Sequence, residues 1–176
     1  RRPLEHVLRD IDTVHRFVEL LRQGAPLSSA GLEEGEQMAM YAARNWLLAG
    51  CTSVFLQDSN SLVIKPQDLI TILVHLRRCF PQIERITSYA RSHTIARMRW
   101  EDLAAIAGAG LNRLHLGLES GCDAVLARVR KGADGAIHVA AGIKVKQAGI
   151  ELSEYYMPGL DGRELSRQHA LQSAAV

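Results

Sequence analysis

Side chains able to bind a ligand stand at the end of one alternating segment, Leu114 to Glu119. Leucine fills every second position there, while His115, Gly117 and Glu119 share the other face. This pattern predicts a β-strand with one face for packing and one for chemistry, and the missing side chain at Gly117 leaves room for a ligand where the carboxylate points. Residues 120–130 follow as a turn and a helix, and α/β folds place ligand-binding carboxylates before such a turn. The alternative is a solvated acidic loop residue.

Polar or glycine-rich loops follow the other three predicted strands as well. These strands and their loops are Thr52 to Leu56 before 57–61, Arg85 to Ala90 before 91–94, and Ile150 to Met157 before 158–162. Each loop alone is typical of an ordinary surface turn. Because the polar residues gather after the strands and the apolar ones before them, the four loops together indicate one binding edge.

Helical periodicity occupies most of the remaining chain. Apolar residues at three- to four-residue spacing predict helices over about 3–23, 32–49, 69–80, 100–109, 124–130 and 134–148. Helices that alternate with strands favour βαβ units, and hence an α/β fold whose four strands are parallel and in sequential order. A doubly wound sheet and a (βα) barrel both satisfy this pattern. No domain boundary is visible, so we expect a single domain over residues 1–176.

Composition excludes several classes of protein. The chain has 176 residues, of which 47% are hydrophobic and 23% charged, with a net charge of +2, so that neither disorder nor a nucleic acid partner is indicated. Three separated cysteines favour a reducing compartment over a disulfide framework and lack the spacing of a metal motif. Cys51 and Cys79 are expected to be buried thiols, and His6 and His15 to be surface residues. With no long apolar run, we expect a cytoplasmic protein without a membrane partner.

The segment LHLGLESGCDAVLARVRKG resembles the fourth strand and following helix of radical S-adenosylmethionine (SAM) enzymes, which often read LGLESGSDEVLKRVRKG. SVFLQDSNSL, ITSYARSHT and GIELSEYYMPGLDGRE resemble their second, third and fifth strands, and RRPLEHVLRDI resembles the segment after their cluster-binding loop. The likeness therefore covers nearly the whole chain. Within this family, the chain is similar to the group that contains elongator protein 3, MiaB and HemN.

This resemblance implies an incomplete, open (βα) barrel of parallel strands and two cofactors, SAM and a four-iron four-sulfur (4Fe-4S) cluster held by CxxxCxxC. That motif is absent from the sequence. We expect that it lies upstream of residue 1, and the alternative is a degenerate relative that never bound a cluster. In either case the chain as given has no thiolate set for a cluster and is expected to bind none.

The resemblance also assigns cofactor-binding roles to eight residues. Asp58, Ser59 and Asn60 would meet the SAM amino group, and Tyr89 and Arg91 would lie at the same mouth, with Arg91 able to grip a carboxylate. Glu119 would accept from the ribose hydroxyls or the amino group, Lys131 would pair with the SAM carboxylate, and Gly159 would help to pack the adenine. A solvated helix end is the alternative for Lys131, and a plain turn is the alternative for Gly159.

Three functions remain open at this point. The first is the SAM-binding core of a radical SAM oxidoreductase that cleaves SAM to a 5'-deoxyadenosyl radical, with an electron donor and an unknown small-molecule or macromolecular substrate as partners. The second is a non-catalytic module that binds SAM or a nucleotide. An unrelated (βα) protein that binds a metabolite is the third, although no phosphate-cradling glycine loop is present.

Overall fold

The computed structural model describes residues 2–57 and 59–176, so that Asp58 lies outside the described residues. Its strands are β1 (Ser53–Leu56), β2 (Arg85–Ala90), β3 (Arg113–Glu119) and β4 (Glu151–Tyr156). Its helices are α1 (Leu4–Arg22), α2 (Glu34–Leu48), α3 (Pro66–Cys79), α4 (Ser92–Arg97), α5 (Trp100–Gly108), α6 (Asp123–Arg128), α7 (Gly135–Gln147) and α8 (Ser166–Ala175), with a 3₁₀ turn at Ser61–Val63.

The four strands form one parallel sheet in the order β1-β2-β3-β4. This confirms the prediction of parallel strands in sequential neighbour order. Since every strand runs in the same direction, the loops after β1, β2, β3 and β4 all emerge at one edge of the sheet. The sheet does not close on itself, because β1 and β4 are its two ends.

The predicted alternation along β3 is confirmed residue by residue. Leu114 and Leu116 are fully buried and Leu118 is nearly so, because they face the layer of helices that covers one side of the sheet. That layer and the sheet share one continuous core, in which Leu73, Ile86 and other aliphatic side chains are also buried. At roughly 1.5 to 3 kcal/mol for each fully buried leucine or isoleucine, this face fixes the direction of the opposite one.

One predicted loop is wrong. Residues 92–94 begin a helix, α4, instead of forming a polar exit. Ile95 in this helix is fully buried, and the Ser92 hydroxyl lies 2.6 Å from Nδ1 of the buried His138 on α7. Burial of Ile95 and this hydrogen bond from outside the segment therefore override its polar composition.

Two predictions of burial also need correction. Cys51 is buried as expected, but Cys79 is only half-buried at the end of α3. His15, expected at the surface, is also half-buried, and its ring meets that of Phe80 edge-on at 5.2 Å between centroids. The first helix packs on α3, and that contact was not visible in the spacing of either residue. Across the described residues, no helix is long and apolar enough to cross a membrane.

Candidate ligand site at the sheet edge

A cavity of about 290 Å³ opens at the carboxyl ends of the strands, on the face of the sheet opposite the buried leucines. We call it the mouth pocket. It is lined by Ser59, Tyr89, Ala90, Arg91, His115, Gly117, Glu119, Lys131 and Tyr155. Its volume is just below the range of small-molecule sites, which measure roughly 300 to 1,000 Å³. Five of the eight predicted site residues lie in this lining.

An ion pair between Glu119 and Lys131 forms the charged wall of the mouth pocket. Lys131 Nζ donates to Glu119 Oε1 at 2.9 Å, and each side chain keeps about a quarter of its surface exposed, 25% and 24%. Glu119 is the last residue of β3, whereas Lys131 follows α6. The backbone reverses after α6 at Arg130, which has a φ of 53°. This reversal brings Lys131 back over the end of the strand.

The backbone at Glu119 is strained. Its φ is 60°, in the left-handed region, where a residue with a side chain costs roughly 1 to 2 kcal/mol. The register of β3 against β4 shifts between Gly117 and Glu119, and Glu119 still accepts a hydrogen bond from Met157 N at 3.0 Å. The strain is held by the surrounding pairing, and its effect is to aim the carboxylate into the mouth pocket.

Gly117 makes space for this ion pair. A Cβ added there would lie 2.6 Å from Glu119 Oε1 and 2.7 Å from Lys131 Nζ. The space above Gly117 is therefore filled by the two charged side chains. Our expectation that it is left free for a ligand is wrong, and the room for a ligand lies beyond the pair.

Arg91 and the loop after β1 form the opposite wall. Arg91 is exposed and lines the mouth pocket beside Ser59. Asn60 turns away from the pocket lining, since its Oδ1 accepts from Arg91 N at 3.3 Å and its Nδ2 donates to Thr94 Oγ1 at 2.9 Å. Asn60 thus holds the two loops together. The predicted contact of Asp58 falls outside the described residues.

Aromatic rings form the floor. Tyr89, His115 and Tyr155 line the pocket from β2, β3 and β4, and Phe55 on β1 packs beside them. The centroids of contacting rings are 4.9 to 5.9 Å apart. Sequence reasoning missed Tyr155, although its register opposite Gly117 follows from the two-residue period of both strands.

The floor is polar but uncharged. Burial, assisted by the nearby Arg113, lowers the pKa of His115, and its Nδ1 is buried without a hydrogen-bond partner in the described structure. The hydroxyl of Tyr155 lies 3.3 Å from that of Tyr89, and this contact raises the pKa of Tyr155. At neutral pH the floor of the mouth pocket therefore favours neutral rings.

Gly159 does not line the mouth pocket. It has a φ of 77° in a turn after β4, where Gly162 N donates to its carbonyl at 2.9 Å. A glycine is the ordinary residue for that backbone conformation. The turn therefore accounts for Gly159 without a ligand.

The described cysteines do not fit an iron-sulfur cluster. Cys51 and Cys122 are buried, and Cys79 lies on α3 close to α1. Within residues 2–57 and 59–176, one group of three possible metal ligands occurs, and it contains a single cysteine. A cluster of this type needs several thiolates at one place.

Comparison with known proteins agrees with this geometry. The family model described as the radical SAM superfamily matches residues 3–173. No curated protein matches the sequence significantly. Among solved structures, an archaeal Elp3 from Methanocaldococcus infernus with an N-terminal deletion aligns with a TM-score of 0.55 and 13% identity, over 69% of this chain and 34% of its own.

A second similar structure is OxsB, a cobalamin-dependent SAM radical enzyme solved with aquacobalamin and SAM bound. It has a TM-score of 0.52 and 18% identity, over 78% of this chain and 21% of its own. At these identities the likeness shows the fold alone, and it confirms a partial (βα) barrel with an open parallel sheet. The chain spans about a third or less of the length of the structures it matches.

Proposed function

This chain belongs to the radical SAM superfamily, and on that premise we propose that its mouth pocket binds SAM. The observation that carries the proposal is the Glu119–Lys131 pair, held at 2.9 Å in a pocket that also contains Arg91. Charges of both signs at the carboxyl edge of a parallel sheet suit a ligand that itself carries both signs.

The charges of SAM match these side chains group by group. Its carboxylate can be held by Arg91 and Lys131, and the planar guanidinium can make two parallel hydrogen bonds with it. Its ammonium group and ribose hydroxyls are donors that suit the Glu119 carboxylate. Lys131 has three N–H donors and a carboxylate has about four acceptor sites, so each can keep the other and still bind the ligand.

The loop after β1 would complete the amino-acid end of the site. Ser59 lines the mouth pocket, and Asn60 fixes the loop against Arg91 N. In this proposal Ser59 and the backbone of this loop meet the SAM ammonium, whereas the Asn60 side chain only holds the loop in place. Gly159 would pack the adenine only if the ligand extended beyond the pocket lining, towards the turn after β4.

A neutral floor favours a cationic sulfonium. Burial lowers the pKa of His115 and so favours the uncharged imidazole at neutral pH. A protonated ring at that position would repel the positive sulfur. Tyr89 and Tyr155 add ring faces that attract a cation, so the aromatic floor supports SAM over an anionic metabolite.

The reaction we propose is the one typical of the family. There a 4Fe-4S cluster would supply the electron that cleaves SAM to methionine and a 5'-deoxyadenosyl radical. Because the described cysteines do not fit a cluster, the part we assign to this chain is to bind and orient SAM. Cluster ligands, an electron donor and a substrate must come from elsewhere. Unpaired cysteines favour a reducing, cytoplasmic setting.

Calorimetry with SAM tests the proposed site. The titration uses the anaerobically reconstituted protein with any flanking sequence that the gene encodes. Glu119→Gln should lose roughly 1.5 to 3 kcal/mol of affinity, the worth of a hydrogen bond to a charged group. Lys131→Gln should lose a similar amount. Glu151→Gln is the matched control, since Glu151 is an exposed carboxylate at the opposite end of β4.

Equal SAM affinity in the wild type and in both folded variants would show that the pocket is not the SAM site. An assay for 5'-deoxyadenosine under reducing conditions distinguishes a radical SAM enzyme from a non-catalytic SAM-binding module. Its formation by a reconstituted protein supports the enzyme. Tight SAM binding without cleavage, in a protein whose gene encodes no cysteine motif, supports the non-catalytic module.

A further inference from the structure

Three side chains that can bind a metal meet on the outer surface, away from the mouth pocket. Asp12 comes from α1, and His75 and Cys79 lie one turn apart on α3. The His75 side chain is only 12% exposed and Cys79 is half-buried, whereas the Asp12 side chain is 60% exposed. The group therefore has a protein side and a solvent side.

The other two members of the group, Asp12 and Cys79, approach the same ring nitrogen of His75. Asp12 Oδ1 lies 2.7 Å from His75 Nε2, and Cys79 Sγ lies 3.7 Å from that same atom. In a nucleophilic relay the acid and the nucleophile bind opposite nitrogens of the imidazole. Convergence on one nitrogen does not fit a relay, and it places three donor atoms around one point.

The spacing of the donor atoms is close to that of a tetrahedral zinc site. Zinc-ligand bonds of about 2.3 Å to sulfur and about 2.0 to 2.1 Å to nitrogen or oxygen put neighbouring ligand atoms roughly 3.4 to 3.6 Å apart. The sulfur lies 3.7 Å from His75 Nε2 and 3.9 Å from Asp12 Oδ1. Only the 2.7 Å contact between Asp12 and His75 must widen, by about 0.7 Å, and the exposed Asp12 can move outward.

We propose that Asp12, His75 and Cys79 form a zinc site that joins α1 to α3, with solvent as the fourth ligand. One thiolate, one imidazole and one carboxylate form a ligand set of intermediate softness, which favours Zn²⁺ over Mg²⁺ or Ca²⁺. The zinc site lies apart from the mouth pocket, and so this proposal is independent of the proposed function.

Two local changes accompany metal binding. Arg78 now donates to His75 Nδ1 at 2.9 Å, which places the ring proton on Nε2. For Nε2 to bind the metal that proton must move to Nδ1, and the exposed Arg78 must swing away. Burial and the nearby Asp12 raise the pKa of the Cys79 thiol. The metal therefore displaces the thiol proton, and one proton is released to solvent for each ion bound.

Cobalt absorption tests this site, because Co²⁺ is a coloured substitute for Zn²⁺. The 176-residue chain should take up one Co²⁺ with tetrahedral d–d bands and a thiolate charge-transfer band, and added Zn²⁺ should abolish both. Cys79→Ser should remove the thiolate band. His75→Gln and Asp12→Asn should each weaken Co²⁺ binding at least tenfold.

Two matched variants serve as controls. Cys51→Ala changes a cysteine outside the group, and His6→Gln changes an exposed histidine on α1; both should bind Co²⁺ as the wild type does. Zn²⁺ should also raise the melting temperature of the wild type but not that of Cys79→Ser, because a ligand that binds only the native state stabilises it.

Three results would overturn the proposal. One is the absence of a thiolate band at one equivalent of Co²⁺. Another is a band that persists in Cys79→Ser. The third is wild-type affinity in Asp12→Asn, which would reduce the arrangement to two residues on α3 and leave the contact with α1 as an ordinary hydrogen bond.

Discussion

At the scale of single residues, Glu119 is where backbone strain and proposed chemistry coincide. The residue keeps a left-handed φ of 60° at the end of β3, and its side chain is paired with Lys131. Strained backbone conformations of this kind persist where surrounding contacts stabilise them, and they are common at binding and catalytic sites. The two contributions, stability and ligand binding, can be separated by substitution.

Glu119→Asn should separate them. Asparagine tolerates the left-handed region better than glutamate, so relief of strain offsets the loss of a partly exposed ion pair worth about 0 to 1 kcal/mol. We expect the free energy of unfolding to stay within about 1 kcal/mol of the wild type while SAM affinity falls at least tenfold. Urea denaturation and calorimetry measure the two quantities. A large loss of stability, with SAM affinity kept, would make Glu119 a structural residue.

Gly117→Ala should damage the site without damaging the fold. Its Cβ would meet the ends of two flexible side chains, Glu119 Oε1 and Lys131 Nζ, which can move apart at little cost in stability. The displaced carboxylate should then bind SAM more weakly, by roughly tenfold. Gly142→Ala is a control, because a Cβ at Gly142 lies at an ordinary 3.4 Å from Leu152 Cδ2. Unchanged SAM binding in Gly117→Ala would argue against the position proposed for the ligand.

At the scale of elements, one lysine fixes the end of a short helix. Lys144 Nζ on α7 donates to the carbonyls of Ala96 and Met98, both at 2.8 Å, and to that of Ile95 at 3.3 Å. These carbonyls are at the C-terminal end of α4, where a cation is favoured and where carbonyl groups lack helical partners. The contact joins α4 to α7.

Lys144→Met should therefore destabilise the protein by roughly 1 to 3 kcal/mol, since it leaves part-buried carbonyls without a charged donor. Chemical denaturation measures the change. Lys146→Met on the same helix is the matched control, because Lys146 is exposed, and it should change stability by less than about 0.5 kcal/mol. Equal effects of the two substitutions would contradict this account of α4.

Much of this architecture could be predicted from the sequence. Alternation identified β3 and its buried leucines because a strand repeats every two residues, and the βα rhythm gave the parallel order. Contacts between distant segments could not be predicted in that way. Helix α4 depends on Ser92 meeting His138, and Lys131 reaches Glu119 only through the reversal at Arg130. Likewise, the four-residue spacing of His75 and Cys79 puts them on one face of α3, but their contact with Asp12 on α1 could not be predicted from spacing.

At the scale of the whole molecule, two histidines with lowered pKa values tie stability to pH. Burial lowers the pKa of His138, with a further contribution from Lys131, and burial also lowers that of His115. His138 receives or donates one hydrogen bond at Nδ1, whereas its Nε2 is buried without a partner in the described structure. A proton added at Nε2 would leave a buried charge uncompensated.

The sign of the effect follows from the lowered pKa. The unfolded chain binds a proton near pH 6.5, before the folded one does, so the stabilising contribution is present above that pH and is lost as pH falls towards the folded pKa. We expect the free energy of unfolding to decrease with a measurable slope as pH drops from about 7 to 5.

His138→Gln isolates one part of that slope. The pKa of Glu154 is raised by burial, so its contribution to stability changes in the opposite sense as pH falls. Because the wild type and the variant both contain Glu154, its contribution cancels when their free energies of unfolding are subtracted. Urea denaturation at several pH values should give a shallower dependence for His138→Gln, while His6→Gln, on an exposed position, should follow the wild type. Parallel curves for wild type and His138→Gln would contradict a buried neutral imidazole.

The whole chain is an open (βα) layer with its charged pocket at one edge, and it spans about a third or less of the structures it resembles. Binding and orientation of SAM at that edge is the central claim. A crystal structure of the reconstituted protein with SAM tests it most directly. The SAM carboxylate should lie against Arg91 and Lys131, and the ribose or ammonium against Glu119. Density for SAM elsewhere on the protein, with the mouth pocket filled only by water, would contradict this assignment.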